Sequence, residues 1–161
     1  MAVEWEVEVA ALLNELSDVQ GELLHVLERK RGLLVSGDPN AIADMQTDEQ
    51  SLLDRLQACH ERRTALLSQA AADGRPSDSI GSLTASLPQG PRAALGRQVQ
   101  EAQSRSRILQ HNSLTNWVLA QRALIHLSQM LEIIATGGRL QPTYGSGPSS
   151  SGSGSLVDQA A

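Results

Sequence analysis

The sequence predicts an all-α protein, an elongated antiparallel bundle of three long helices followed by a flexible C-terminal tail. Three observations predict this class. Aromatic residues make up only 2% of the 161 residues and Phe is absent, whereas β-sandwiches and barrels depend on aromatic and β-branched side chains. Leu and Ala predominate together with Arg, Glu and Gln, all good helix formers. Core-facing residues recur at alternating three- and four-residue spacings, as they do in helical bundles.

The first helix is predicted over about residues 2–35. The acidic residues near its start and the basic run 29–31 near its end both match the helix macrodipole. Its length at the standard rise is roughly 50 Å. The predicted core-facing positions are Trp5, Val9, Leu12, Leu16, Val19, Leu23, Val26, Lys30 and Leu33.

The second helix is predicted over residues 39–72, after a tight turn. Gly37 suits a left-handed C-cap, Asp38 is a preferred N-cap, and Pro39 fits the first helical position. A turn this short predicts that helices one and two are antiparallel neighbours. The core-facing positions are Ile42, Met45, Glu49, Leu52, Leu56, Cys59, Arg63, Leu66 and Ala70.

A connector rich in Gly and Pro follows over residues 73–90. Residues 79–87 within it could form one or two helical turns with Ile80, Leu83 and Leu87 facing the bundle, but the sequence leaves open whether the connector is helical. The last helix is predicted over residues 91–136. Its core-facing positions are polar or small in the middle and apolar at both ends: Leu95, Val99, Ala102, Ser106, Leu109, Ser113, Asn116, Ala120, Ala123, Leu127, Met130 and Ile134.

The domain organisation expected from these patterns is a helical bundle over residues 1–140 and a tail over 141–161. Gly and Ser dominate the tail, so it cannot bury enough apolar surface to become ordered.

The net charge and the cysteine content exclude some classes of function and of structure. A net charge of -5 and a pI near 5.3 argue against a nucleic-acid partner. Cys59 is the sole cysteine, so no internal disulfide can form. The acidic N-terminus lacks the features of a signal peptide, and no apolar run approaches the ~18 residues of a membrane span. A cytoplasmic protein is expected.

Catalytic and metal-binding patterns are not found. His25, His60, His111 and His126 form no pair at i,i+3 or i,i+4 spacing, and no Cys or Asp cluster accompanies them. Nucleophile-elbow and phosphate-loop motifs are also missing from the sequence. We therefore expect a protein that is not an enzyme and needs no metal or other cofactor.

The last helix contains more apolar residues than a surface helix needs. One apolar arc is about 160° wide, against a typical stripe somewhat over 100°. A helix that faces two neighbours in a bundle also needs a broad arc. The arc alone therefore does not distinguish a helix buried in the bundle from a helix with a surface for a partner. Val118 and Ile125 lie outside it, among polar residues. Either a partner helix or a second copy of the chain would cover them.

The order of these features resembles the flagellar export chaperones of the FlgN type. A leucine-rich first helix passes through a short turn containing Gly-Asp into a second helix that ends in "HERRTALL". The last helix, "LQHNSLTNWVLAQRALIHLSQMLEII", resembles the asparagine-bearing helix of that family, and "PTYGSG" is similar to the Tyr-then-Gly segment that follows it. The resemblance covers roughly residues 5 to 147. The serine-glycine extension and the Gly/Pro-rich connector depart from the family pattern.

The resemblance implies a cytosolic chaperone that binds the C-terminal helical segments of flagellar hook-associated proteins and brings them to the type III export apparatus. It also implies that Tyr144 contacts the export-gate membrane protein. The alternative function is a structural, self-assembling bundle with no client, in which the apolar surplus forms a homodimer or larger oligomer. The residues expected to bind the client are Asn112, Asn116, Trp117, Val118, Leu119, Leu124, Ile125, Leu127, Leu131 and Ile134.

Overall fold

The computed structural model describes residues 4–137, in which five helices follow one another without a strand. The all-helical class is confirmed, and the connector contains a short helix. The chain divides into two compact units after Ile125; the described part of the second unit, 126–137, consists of the last turns of α5 and its C-terminal glycine. The helices are α1 Trp5–Ser36, α2 Pro39–Asp44, α3 Gln46–Ala72, α4 Ile80–Ala85 and α5 Gln89–Thr136.

In the first unit, ion pairs show that α1 and α3 run antiparallel. The residue numbers of the partners on α3 increase as those on α1 decrease, so the two helices run in opposite directions. The pairs are Lys30 with Glu49, Arg55 with both Glu22 and Glu15, and Arg62 with Glu8. Since most of these side chains are substantially exposed, the pairs set direction and register more than they stabilise the fold.

Hydrogen bonds show that α1 and α5 run parallel within the same unit. Gln20 donates to the Ala102 carbonyl at 3.0 Å, and further along both helices Asn116 donates to the Leu27 carbonyl at 2.8 Å. The residue numbers of the partners therefore increase together along both helices, which makes the helices parallel. Since α3 ends and α5 begins where α1 begins, the connector between α3 and α5 stays at that end of the bundle.

The larger core cluster lies at that end of the bundle. Leu83 of α4 is fully buried, and it belongs to the same cluster as Trp5, Val9 and Leu95 from the two parallel helices. α4 begins where the Ser79 hydroxyl accepts a hydrogen bond from the Ser82 N–H, a standard N-cap. The short helix therefore closes the bundle with its apolar side chains.

The second helical segment differs from the prediction of one helix over 39–72. It is divided at Met45, which joins α2 to α3. The Met45 N–H donates to the Ile42 carbonyl three residues back rather than four, which tightens the turn. The side chain of Met45 is buried, so the break accompanies the insertion of a large apolar group at the start of α3.

Among residues 4–137, no helix combines the length and the apolar character that a membrane span requires. The predicted tail, 141–161, lies outside the described residues, and so does Tyr144.

Candidate functional site

The first unit exposes five large apolar side chains near its C-terminal end. We call them the first apolar set: Leu114, Trp117, Val118, Leu124 and Ile125. Their exposed fractions are large for such residues, 60% for Trp117 and 56% for Ile125. At 100° per residue they fall within an arc of about 120° on α5. They therefore form one apolar face of the helix that the first unit leaves open to solvent.

The described part of the second unit has an apolar face of its own. We call it the second apolar set: Leu127, Met130, Leu131, Ile133 and Ile134. Leu131 is 66% exposed and Ile134 is 72% exposed. These five residues are interspersed with polar ones over about two turns, so this stretch of α5 is amphipathic and its apolar side chains are exposed.

Two asparagines explain why the apolar face of the first unit points to solvent. Asn112 is 9% exposed and accepts a hydrogen bond at 2.8 Å from Arg31 of α1. Asn116 is 5% exposed and donates to the Leu27 carbonyl. On a helical wheel both asparagines lie roughly opposite the first apolar set. The usual arrangement is reversed in this stretch: amides face α1, and apolar side chains face outward.

The predicted site residues thus divide into those on the side of α5 that faces α1 and those on its exposed faces. Asn112 and Asn116 are held by α1, and Leu119 is only half-buried on the same side. The exposed faces contain Trp117, Val118, Leu124 and Ile125 in the first unit, and Leu127, Leu131 and Ile134 in the second.

Three members of the two apolar sets were not among the predicted site residues: Leu114, Met130 and Ile133. Leu114 precedes Val118 by four residues and Ile125 by eleven, and this spacing places all three on one side of a helix. That signal was present in the sequence. The prediction that Leu127, Met130 and Ile134 face the core is wrong, since the structure leaves all three exposed.

Chemistry other than binding has little support in the described residues. Between residues 4 and 137, no group of three or more His, Cys, Asp or Glu side chains is placed to hold a metal ion. Burial raises the pKa of the Cys59 thiol, and the negative charge of Glu15 raises it further. A thiol held in its protonated form is a poor nucleophile.

Comparison with known protein families identifies one family. The family model described as "FlgN protein" matches residues 1–150, which include every helix and Tyr144. Neither the curated proteins nor the solved structures give a match. The chain therefore belongs to the FlgN family, a family of flagellar export chaperones rather than of enzymes.

Proposed function

We propose that the exposed apolar faces of α5 bind the C-terminal helical segment of a flagellar hook-associated protein and hold it in the cytoplasm until export. The reversed orientation of α5 in the first unit is the observation that supports this most strongly. Asn112 and Asn116 use the inward face of the helix for hydrogen bonds to α1, and Trp117, Val118 and Ile125 are left outside. Exposed apolar patches of this kind mark interaction surfaces.

The chemistry of the two sets fits a helical ligand. Each set places large apolar side chains along one side of its own stretch of helix, an arrangement that receives an amphipathic partner helix through its own apolar stripe. Trp117 is a large apolar anchor near the start of the surface, and tryptophan is enriched among the residues that dominate binding energy. Subunits that polymerise through helical ends expose such stripes before assembly, and a chaperone that covers them prevents premature association. Micromolar affinity, about 8 kcal/mol, is sufficient and still permits release.

Trp117 provides a direct test of client binding. In a Trp5→Phe variant, Trp117 is the single tryptophan, and we expect its emission to shift to the blue when the C-terminal segment of a hook-associated protein is added. Leu124→Glu tests the first apolar set and Leu131→Glu tests the second. Each is expected to weaken binding at least tenfold, because a carboxylate would be desolvated against the client.

Leu53→Glu is the matched control. Leu53 is an exposed apolar residue of α3, so the same substitution there changes the charge equally but leaves α5 untouched. Unchanged affinity in Leu124→Glu and Leu131→Glu, with helicity retained by circular dichroism, would rule out α5 as the client surface. Sedimentation that shows a dimer abolished by these substitutions would favour the self-assembling alternative.

We further propose that Tyr144 contacts the export-gate membrane protein during delivery. The support is the family match, which extends to residue 150, and the Tyr-Gly segment at residues 144–145. Tyr144→Ala is expected to retain the client affinity measured by Trp117 fluorescence and to lose binding to the cytosolic domain of the gate protein. Equal gate binding by both forms in a pull-down assay would contradict the assignment.

A further inference from the structure

A groove in the first unit lies apart from the apolar sets of α5. Its cavity volume is about 420 Å³, and α1, α3, α4 and α5 all contribute to its lining. Half-buried apolar side chains account for much of the surface, among them Leu16, Leu56, Val99 and Leu109. The volume is nearly three times that of an apolar cavity of ~150 Å³ that admits benzene, so several large apolar side chains can enter.

The groove follows from the small residues of α5. Ala102 and Ser106 occupy positions of the predicted core-facing pattern where a well-filled bundle would place leucines, and both line the groove. The lining on α5 extends from Val99 to Gln110, a length of roughly 16 Å at the helical rise. A helix of about three turns has a matching length.

The charged side chain that lines the groove is positive. Its lining includes no Asp or Glu, whereas it does include the exposed Arg63 of α3. Arg55 and Arg62 on the same helix are engaged by glutamates of α1, but Arg63 makes no ion pair within residues 4–137. A protein with a net charge of -5 therefore presents a locally cationic groove.

Gln20 provides a second, independent indication of a ligand. Its side chain is 1% exposed and lines the groove, and its Nε2 donates to the Ala102 carbonyl and to the Ser106 hydroxyl. Its Oε1 is buried without any hydrogen-bond partner. Buried polar atoms normally have partners, so an unpaired acceptor beside a groove points to a donor supplied from outside.

We propose that this groove binds a short amphipathic helix of a partner protein, with apolar side chains against Leu16, Leu56 and Leu109 and a carboxylate beside Arg63. The occupant is defined by its chemistry: an apolar stripe at i, i+3, i+4 and i+7 spacing flanked by acidic residues. The site is separate from the client surface on α5. The client proposal and the groove proposal can therefore fail independently.

Two designed peptides of 15 residues test the charge preference. Both have the same leucine stripe; one has Glu at the flanking positions and the other has Lys. We expect the acidic peptide to bind the full chain at least fivefold more tightly in fluorescence anisotropy, and the preference to fall with added salt. The net charge of the chain predicts the opposite order, so equal binding or a preference for the Lys peptide would overturn the proposal.

Methyl NMR of the full chain locates the bound peptide. The acidic peptide is expected to shift the methyl signals of Leu16, Leu56 and Leu109. Shifts confined to Leu127 and Leu131 would place the peptide on the second apolar set and overturn the groove assignment.

Matched substitutions separate local from general effects. Arg63→Glu is expected to weaken binding of the acidic peptide about fivefold. Arg97→Glu makes the same charge change at an exposed position of α5 outside the groove lining and is expected to have little effect. Equal losses in both variants would attribute the binding to net charge and contradict the proposal.

A second pair of variants fills the groove without changing charge. Gln103→Trp places a bulky side chain at a lining position, whereas Gln100 is exposed and outside the lining, so Gln100→Trp is the control. We expect Gln103→Trp alone to reduce peptide binding at least tenfold. A concentration-dependent mass in sedimentation that only Gln103→Trp abolishes would assign the groove to a second copy of this chain and overturn the proposal.

Discussion

At the scale of single residues, Arg31 and Asn112 control how α5 faces α1. The Arg31 guanidinium is half-buried and donates through Nη2 to Asn112 Oδ1, while its Nε is buried without a partner. A half-buried charged donor is costly to leave without an acceptor, and Asn112 Oδ1 is the acceptor described for Arg31. Loss of the asparagine therefore affects the packing of the helix and the desolvation of a charge at once.

We expect Asn112→Ala to lower the free energy of unfolding by about 2 kcal/mol, because the buried side of Arg31 loses its acceptor. Asn112→Asp is expected to be much less destabilising, since a carboxylate accepts from Arg31 in the same place. Urea denaturation followed by circular dichroism measures both. Equal losses in the two variants would show that the asparagine contributes only its packing.

The sequence predicted part of the division between exposed and buried residues on α5. The helical period put Val118 and Ile125 outside the main apolar arc, and the structure leaves both exposed. The family resemblance grouped Asn112 and Asn116 with the client-binding residues, whereas both are buried and bond to α1, as the core-facing pattern had indicated for Asn116. Periodicity gives the relative angles of residues on one helix. It does not state which of two faces will meet a neighbour when one contains amides and the other contains leucines.

At the scale of the helices, the ends and interruptions depend on short-range backbone rules. Gly37 takes a left-handed conformation with φ of 72°, and its N–H bonds the Leu33 carbonyl, as expected of a C-cap glycine. Asp38 then caps α2 by accepting from the Ala41 N–H. These features were readable from the local sequence because each one depends on residues within a single turn.

Two glycines of this region should respond oppositely to substitution by alanine. Gly37→Ala places a side chain in the left-handed region and is expected to cost about 1 kcal/mol. Gly32 lies in α1 with nothing near the position of an added Cβ, so Gly32→Ala is expected to stabilise the fold by about 0.5 kcal/mol. Thermal unfolding measures both signs. A gain at both positions would contradict the left-handed cap.

The break at Met45 shows where local rules are insufficient. Residues 39–72 keep one apolar pattern throughout, so they predicted one helix. The interruption accompanies burial of the Met45 side chain, which depends on the neighbouring helices rather than on the helical propensity of the segment.

At the scale of the whole molecule, burial is unevenly distributed along the chain. The two core clusters draw on residues from Trp5 to Leu95, together with the partly buried Val99 and Leu109. From Trp117 to Thr136 no side chain is buried. Local stability follows the burial of apolar surface, so the last five turns of α5 should be the least protected described helical segment of the chain.

Amide hydrogen exchange measures this directly. In the free chain we expect residues 117–136 to exchange much faster than the buried turns of α1 around Val9 and Val19. Adding the client segment is expected to slow exchange selectively in residues 117–136, since binding covers the apolar side chains there. Protection of that segment equal to that of α1 before any client is added would contradict an open binding surface.

The sequence by itself determined the helical class, the turn at Gly37 and Asp38 and the presence of an apolar surplus in α5, because these depend on composition, local capping and the helical period. The tertiary structure decided the direction in which the surplus faces. Asn112 and Asn116 turn toward α1, where Asn112 Oδ1 accepts a hydrogen bond from Arg31 and Asn116 Nδ2 donates one to the Leu27 carbonyl, and the opposite apolar face is left to solvent. The groove beside Ala102 and Ser106 likewise exists only where four helices meet, since small side chains leave a space only between packed neighbours.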